Sequence, residues 1–283
     1  MILLLGATGL LGREVARLLP DAHRCGREQL DLATEFNLPP GDWEWIVNCA
    51  AYTAVDRAES EPEIARRINA TGPRRLARLA RSRQARVLHV STDFIYGGPS
   101  ERPFREDDEP LPLGVYARSK LDGEEAVWQE DEDEDNIVVN TAWLFGDGPC
   151  FPRTILRAWS LGRELRVVDD QIGSPSYAPD VAAAIRMLIE REAPGGRYHA
   201  AGVKAMSWYE LAQRAIRAWK TLDDLRPVEI TPVSTAEYPT AAPRPRYSAL
   251  DVSRMLGLGW RPRHIDDALK EWADRLRASP EAL

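Results

Sequence analysis

Short apolar runs alternate along this chain with stretches in which apolar residues recur every three or four positions, the first pattern suiting buried strands and the second amphipathic helices. Residues 1–5 read as a strand, and Leu10 to Leu19 as a helix stopped at Pro20. Further strands are predicted over 22–25, 45–48, 86–91, 137–141 and 197–199. Helices are predicted within 62–81, where Ile64, Ile68, Leu76 and Leu79 mark the apolar face, and over 115–128, 178–190, 208–219 and 264–277. Strands alternating with helices predict an α/β fold with a doubly wound parallel sheet covered on both faces. The last third changes character, with Pro227, Pro232, Pro239, Pro243, Pro245 and Pro262 clustered between the final two helices. It reads as a smaller, loop-rich C-terminal lobe, placed to close over a ligand at the carboxyl ends of the strands. The expected division is 1–143 plus 178–200 for the sheet domain and 144–177 plus 201–283 for the lobe.

Composition narrows the classes. The 283 residues are 44% hydrophobic and 29% charged, which suits one or two globular domains and neither a disordered nor a fibrous chain. A net charge of -7 argues against a dedicated nucleic-acid binder. Six of the 44 acids form one run, Glu130 to Asp135; without it 38 acids face 37 bases, so the acidity is mostly one surface loop. Cys25, Cys49 and Cys150 are too few and too widely spaced for a disulfide framework or a tetrahedral zinc site, and suit a reducing cytoplasm. The first residues lack the pattern of a signal peptide, and no segment approaches the roughly 20 apolar residues that span a bilayer, so no membrane partner is expected. His89 reads as a core residue in an apolar strand; His23, His199 and His264 show no ligand spacing, and no metal is expected.

Two constellations carry chemistry. Residues 6–12, Gly6-Ala-Thr-Gly9-Leu-Leu-Gly12, follow a strand and open a helix. Glycine there lets the backbone turn tightly and approach a pyrophosphate, whose charge the helix N-terminal N–H groups stabilise. Tyr116 and Lys120, four residues apart on a predicted helix, share one face, and a neighbouring ammonium is expected to lower the phenol pKa for proton donation to a carbonyl. Ser91 and Thr92 end a strand upstream, where a hydroxyl would join that pair beside a nicotinamide. Cofactor choice turns on the end of the second strand, where Arg24 and Arg27 point to NADPH, with NADH as the alternative because Asp31 follows.

With these segments the chain resembles the extended short-chain dehydrogenases and, within them, the dTDP-4-dehydrorhamnose reductase family. The resemblance runs over nearly the whole chain. It is most specific at Asn48 to Pro62 and Arg244 to Asp251, and includes Ile68-Asn69, Ser91-Thr92-Asp93, Tyr116 to Lys120, Asp170 to Pro175 and Tyr198-His199. It implies a Rossmann-type fold, the sheet domain binding NAD(P) and the lobe binding a nucleotide sugar. Carried over, Tyr116 donates the proton to the C4 oxygen, Lys120 lowers its pKa and holds the nicotinamide ribose, and Thr92 hydrogen-bonds the carbonyl. Gly6, Thr8, Gly9, Leu10, Leu11 and Gly12 would form the pyrophosphate turn. Arg27, Asp31, Leu32, Ala50, Ala51, Tyr52 and Asn69 would line the rest of the cofactor groove. Asp93 and Trp143 would face the sugar, a core tryptophan being the alternative for Trp143; Arg244 and Arg246 would pair with the diphosphate, surface placement being theirs. Asn140-Thr-Ala-Trp143 and Gly148-Pro-Cys-Phe151 depart from the family's usual Arg-Thr-Ser-Trp and Asn-Asn-Phe, and are expected near the substrate side. Some members of the family are described as Mg-dependent, which nothing in this sequence supports independently.

The activity implied is NADPH-dependent reduction of dTDP-4-dehydro-L-rhamnose to dTDP-L-rhamnose in the cytoplasm. Alternatives are a reductase of another 4-keto-6-deoxy nucleotide sugar and, from a different class, a non-catalytic NADP-binding regulatory subunit like that of methionine adenosyltransferase. Thr92, Tyr116 and Lys120 together favour catalysis. Oligomeric state stays open, a homodimer included.

Overall fold

The computed structural model of the protein describes residues 1–130, 135–220 and 226–278. Most of the acidic run, residues 131–134, therefore lies outside the described residues. The chain begins with β1 (Ile2–Leu5), α1 (Leu10–Leu18), β2 (His23–Cys25) and β3 (Trp45–Asn48). It continues through α2 (Val55–Ala58), α3 (Pro62–Arg66), α4 (Gly72–Arg81), β4 (Arg86–Thr92), α5 (Val115–Gln129) and β5 (Ile137–Thr141). Then come β6 (Leu144–Phe145), α6 (Phe151–Ser160), β7 (Arg166–Val168), β8 (Ile172–Gly173), β9 (Ser176–Tyr177), α7 (Ala178–Glu190) and β10 (Gly196–His199). The last elements are β11 (Met206–Ser207), α8 (Trp208–Trp219), β12 (Thr231–Val233), α9 (Ser253–Gly257) and α10 (Ile265–Arg277).

Six strands form one parallel sheet in the order β10-β5-β4-β3-β1-β2. From β1 the chain moves outward to β2 and returns on the other side to β3, so the direction of winding reverses between β1 and β3. That switch point opens a crevice at the carboxyl ends of those strands. Alternation along the strands serves both faces: Leu4, Val47 and Leu88 join one core with α1 and α7, whereas Leu3, Leu5, Ile46 and Val87 join another with α4.

A third core belongs to the lobe. Leu156 and Trp159 of α6, Leu211 and Ile216 of α8, and Leu269 and Trp272 of α10 pack around Phe145 and Tyr177. Between α8 and α10 the chain revisits the sheet domain: Leu250, Val252, Met255 and Trp260 pack into the α1/α7 core. The lobe expected over 201–283 is thus interrupted by a return over the sheet.

The helical stretch expected over 62–81 is broken by one π-turn at Arg67–Thr71. Gly123 explains what that turn packs on, since a Cβ at Gly123 would lie 2.0 Å from the Asn69 carbonyl oxygen. The wider turn and the bare α-carbon bring α5 against Asn69.

Candidate active site

The glycine loop follows from backbone constraints. Gly6 has φ +75°, and a Cβ there would meet the Ala50 amide nitrogen at 2.6 Å. A Cβ on Gly12 would lie 2.0 Å from the Gly6 carbonyl oxygen. The loop is held by the Gly9 amide donating to Gly6 O at 3.0 Å. Gly9 caps α1 with no side-chain hydrogen bond, and the first turn carries no acid, so the amides of Leu10, Leu11 and Gly12 have no competing anion. Thr8 and Gly9 are exposed at this end. A cradle closed to side chains, ending in uncapped N–H groups, fits a dinucleotide pyrophosphate.

Ala50 packs directly on Gly6 of that loop, and Ala51 follows it. Their course is set by Asn48, whose Oδ1 accepts from the Ala50 amide at 3.0 Å, and by Asn69, which accepts from Tyr52 N at 2.8 Å and donates to Tyr52 O at 3.0 Å. Asn69 also donates to Ser119 Oγ and is 1% exposed. It shapes the groove wall and presents no free polar atom to a ligand. Tyr52 donates its phenol hydrogen to Glu61 at 2.6 Å. Leu32 is a core residue, packed on Gly72.

At the end of β2, Arg24 turns to the Ala16 carbonyl of α1, while Arg27 is exposed and pairs with Asp31 at 3.0 Å. The Ala33 amide bonds Asp31 and, more than Arg27, holds its carboxyl below the usual range. An arginine and an acid therefore share one rim.

Helix α5 starts where the Val115 amide donates to Glu59 Oε1 at 2.9 Å. In its first turn, Tyr116 is buried edge-on to Phe94. Burial pushes the phenol up to about 12; a hydrogen bond with Thr92 lowers it and the Asp93 charge raises it. Lys120, 2% exposed, donates to the Val90 carbonyl at 2.7 Å and has His89 Nε2 at 3.3 Å. Burial pulls this ammonium down to about 8, against the nearby charge of Glu124. The expected lowering of Tyr116 by Lys120 is therefore corrected. The two share a helix face, but the lysine head is held against β4 and Thr92 is the group that favours the phenolate.

Thr92 ends β4, caps the short 3-10 turn by accepting from Phe94 N, and donates to Asp93 Oδ1 at 3.2 Å. Asp93, 2% exposed, accepts from Ser248 Oγ at 2.5 Å. Burial raises its carboxyl to about 7 despite both donors. Ser248 brings the 240–251 segment onto the reactive hydroxyls. The same segment places Pro243 and Pro245 in a narrow cleft beside Tyr116 and Phe94.

Arg244 grips Asp56 of α2 through both guanidinium nitrogens, at 2.9 and 2.7 Å, and donates to its own turn at Ala242 O. Arg246 is exposed and has no side-chain partner among the described residues. Trp143 is half-buried at the seam of two cores. Its backbone is left-handed, φ +43°, and its indole stacks on Trp208 with centroids 3.4 Å apart over the bare face of Gly173. Phe151 lies against Trp208, so that departure from the family pattern borders the tryptophan pair.

Asn140 does not face the substrate side, which corrects the expectation. It is fully buried behind Thr92, donating to Thr92 O at 3.0 Å and to Glu124 at 2.7 Å, and Arg197 of β10 completes the Glu124 pair. Four functional neighbours were not singled out from sequence: Asn48 and Glu59, which set the groove and the start of α5, Asp56, and Ser248. Only their place in the two most specific segments could have flagged Asn48, Asp56, Glu59 and Ser248. Among the described residues no cluster of three metal-ligating side chains occurs, and no helix is long and apolar enough to cross a membrane. A cavity of about 520 Å3 between Tyr177, Asp180, Trp260 and Arg263 contains none of these groups.

A family profile described as RmlD substrate binding domain matches residues 1–278. A dTDP-4-dehydrorhamnose reductase from Streptomyces griseus is 38% identical, covering 95% of this chain and 91% of that one. A probable dTDP-4,6-dihydroxy-2-methyloxan-3-one 4-ketoreductase from Streptomyces antibioticus is 36% identical over 99% and 95% of the two chains. The crystal structure of the dTDP-4-dehydrorhamnose reductase of Bacillus anthracis with NADP superimposes with a TM-score of 0.86 at 30% identity, covering 97% of this chain and 98% of that chain.

Proposed function

The chain belongs to the dTDP-4-dehydrorhamnose reductase family, and from that premise we propose that it reduces the C4 ketone of dTDP-4-dehydro-L-rhamnose with NADPH, giving dTDP-L-rhamnose. The observation that carries the reading is the junction of Thr92, Tyr116 and Lys120 at the carboxyl end of β4, next to a pyrophosphate cradle at the sheet's switch point. NADPH supplies the hydride. Tyr116 donates its phenolic proton to the carbonyl oxygen, and the Thr92 hydroxyl, turning its one hydrogen away from Asp93, donates to the same oxygen. The amides of Leu10, Leu11 and Gly12 hold the pyrophosphate, and Arg27 offers a guanidinium to a ribose 2'-phosphate. Arg246 takes the substrate diphosphate, Arg244 serving as the strut that holds its segment to α2. Trp143 and Trp208 form the wall for the sugar. Cytoplasmic placement is part of the proposal, supported by three cysteines that are all free.

The similarity to the Streptomyces antibioticus ketoreductase favours a second reading, in which the dTDP-linked 4-keto sugar is a different one. The test is oxidation of NADPH followed at 340 nm with dTDP-4-dehydro-L-rhamnose, beside the same assay with NADH and with other 4-keto-6-deoxy nucleotide sugars. Turnover with the rhamnose precursor and NADPH is expected. Preference for another keto sugar would select the second reading, and cofactor binding without turnover of any of them would overturn both.

A further inference from the structure

Behind the reactive tyrosine a buried chain links Lys120 to two polar groups, His89 and Asn48, that the proposed chemistry does not use. Asn48 Nδ2 lies 3.0 Å from His89 Nδ1, and His89 Nε2 lies 3.3 Å from Lys120 Nζ. All three side chains are 0–2% exposed. The orientation of Asn48 is decided by the Ala50 amide, which needs an acceptor and finds Oδ1 at 3.0 Å. The amide nitrogen of Asn48 therefore faces the imidazole, and an NH2 group only donates. His89 Nδ1 must accept. A neutral imidazole with Nδ1 bare carries its proton on Nε2, the nitrogen facing Lys120.

That proton constrains the lysine. An ammonium has no lone pair and would meet the Nε2–H donor head-on, whereas a neutral amine accepts from it and donates to Val90 O at 2.7 Å. We propose that His89, locked by Asn48 in the Nε2–H tautomer, is a positioning residue that favours the neutral, proton-accepting form of the Lys120 amine in the ligand-free enzyme. The other groups facing the pair are Glu124, one turn further along α5, whose charge favours the ammonium, and the Cys49 thiol, which burial pushes up to about 12 and keeps neutral. Burial holds the imidazole well below its usual range, consistent with a neutral ring. No net proton is created: when Lys120 takes up a proton, either the imidazole proton moves from Nε2 to Nδ1 at the cost of the Asn48 bond, or the ring leaves its place.

The inference rests on the proposed reductase only for its consequence in turnover; the test does not. The chain has four lysines and four histidines, so both can be followed by NMR in the ligand-free protein. Nitrogen-15 spectra of the histidines report the tautomer, and carbon-13 shifts of the lysine ε-carbons report each protonation midpoint. The expected result is an Nε2–H tautomer for His89 and a Lys120 midpoint below those of Lys204, Lys220 and Lys270. In Asn48→Asp, a carboxylate accepts from both Ala50 N and Nδ1–H, which inverts the tautomer and offers bare Nε2 to an ammonium. The Lys120 midpoint then rises by about one unit or more, about a tenfold change in proton affinity. His89→Gln, which adds no charge and whose carbonyl can accept from the ammonium, produces a rise in the same direction.

Burial alone lowers the midpoint equally in the parent and in His89→Gln, whereas the charge added in Asn48→Asp raises it by itself; an unmoved midpoint in His89→Gln therefore overturns the inference, as does an Nδ1–H tautomer in the parent or an Nε2–H tautomer kept in Asn48→Asp. In the proposed reaction, the pH profile of kcat/KM for Asn48→Asp shifts with the NMR midpoint. If no keto sugar is turned over while the NMR result holds, the proposed function fails and the tautomer lock stands.

Discussion

Helix α5 and the 240–251 segment both reach the same pocket, yet they are built on opposite principles. On α5 the reactive groups are spaced by the helix itself: Tyr116, Lys120 and Glu124 follow at four-residue intervals, all buried, and each meets a different partner, Thr92, His89 with Val90, and Arg197 with Asn140. Regular geometry sets where they lie, and the sheet decides what each does. The 240–251 segment has no regular structure to place its polar groups. Backbone bonds with Ile172 and Phe104 hold its second half, and discrete side-chain contacts, Arg244 to Asp56 and Ser248 to Asp93, spanning 188 and 155 residues of sequence, place its polar groups. A reactive group on a packed helix keeps its position when one neighbour is removed; a group on a tethered loop depends on each tether.

The sharpest way to break that contrast is at the helix. Tyr116→Phe removes one oxygen and leaves the ring packed on Phe94. The expected outcome in steady-state assays is a fall in kcat of about 10²- to 10⁴-fold, the range of general acid catalysis, with NADPH affinity unchanged. An equal loss of cofactor binding would mean that the phenol organises the groove.

The next effect divides the two arginines. Arg246→Ala should raise KM for the nucleotide sugar by about 10- to 100-fold, as expected for lost hydrogen bonds to a charged group, while leaving stability to urea unchanged. Arg244→Ala and Asp56→Ala should resemble each other, with smaller rises in KM, because either one releases the same tether. Their double variant should be no worse than the single ones, whereas Arg246→Ala combined with Asp56→Ala should be close to additive. Additivity between Arg244 and Asp56 would sink the strut assignment.

How much of this was legible follows the same divide. Strands 45–48 and 137–141 fall at the expected bounds because each is one short apolar run buried on both faces, and helices 178–190 and 208–219 because their apolar positions recur with the helical period. Helix α6 is not among the predicted helices, although Pro152 occupies its first turn. The two-residue strands β6, β8, β9 and β11 are too short to show any period. Tyr116 and Lys120 were legible as a pair, but not the direction of their pKa shifts, because burial and cross-strand partners set those. His89 was rightly read as a core residue. What strand pattern could not reveal is that the core around it includes the lysine. Asn140, read as a change in substrate contacts, supports Thr92 from behind.

The smallest expected effect concerns the tether at Ser248, and its sign can be worked out. Asp93 in the folded protein binds its proton up to about pH 7, while an unfolded aspartate releases it near pH 4. Between those values the folded state holds more protons than the unfolded one, so this group's contribution to stability is fully present below about pH 4 and is lost as pH rises through 7. Ser248 offsets part of that loss by donating to the carboxylate. Ser248→Ala should cost about 0.5 kcal/mol at pH 5, where the bond is between neutral groups, and about 1 kcal/mol more at pH 8, where the acceptor is charged. Urea denaturation at the two pH values measures the gap directly. Adding Asp93→Asn to both proteins should make the gap independent of pH, since the amide cannot ionise. A gap already independent of pH with Asp93 in place would show that the carboxylate does not change charge in this window, and that Ser248 tethers the loop to a neutral acid throughout.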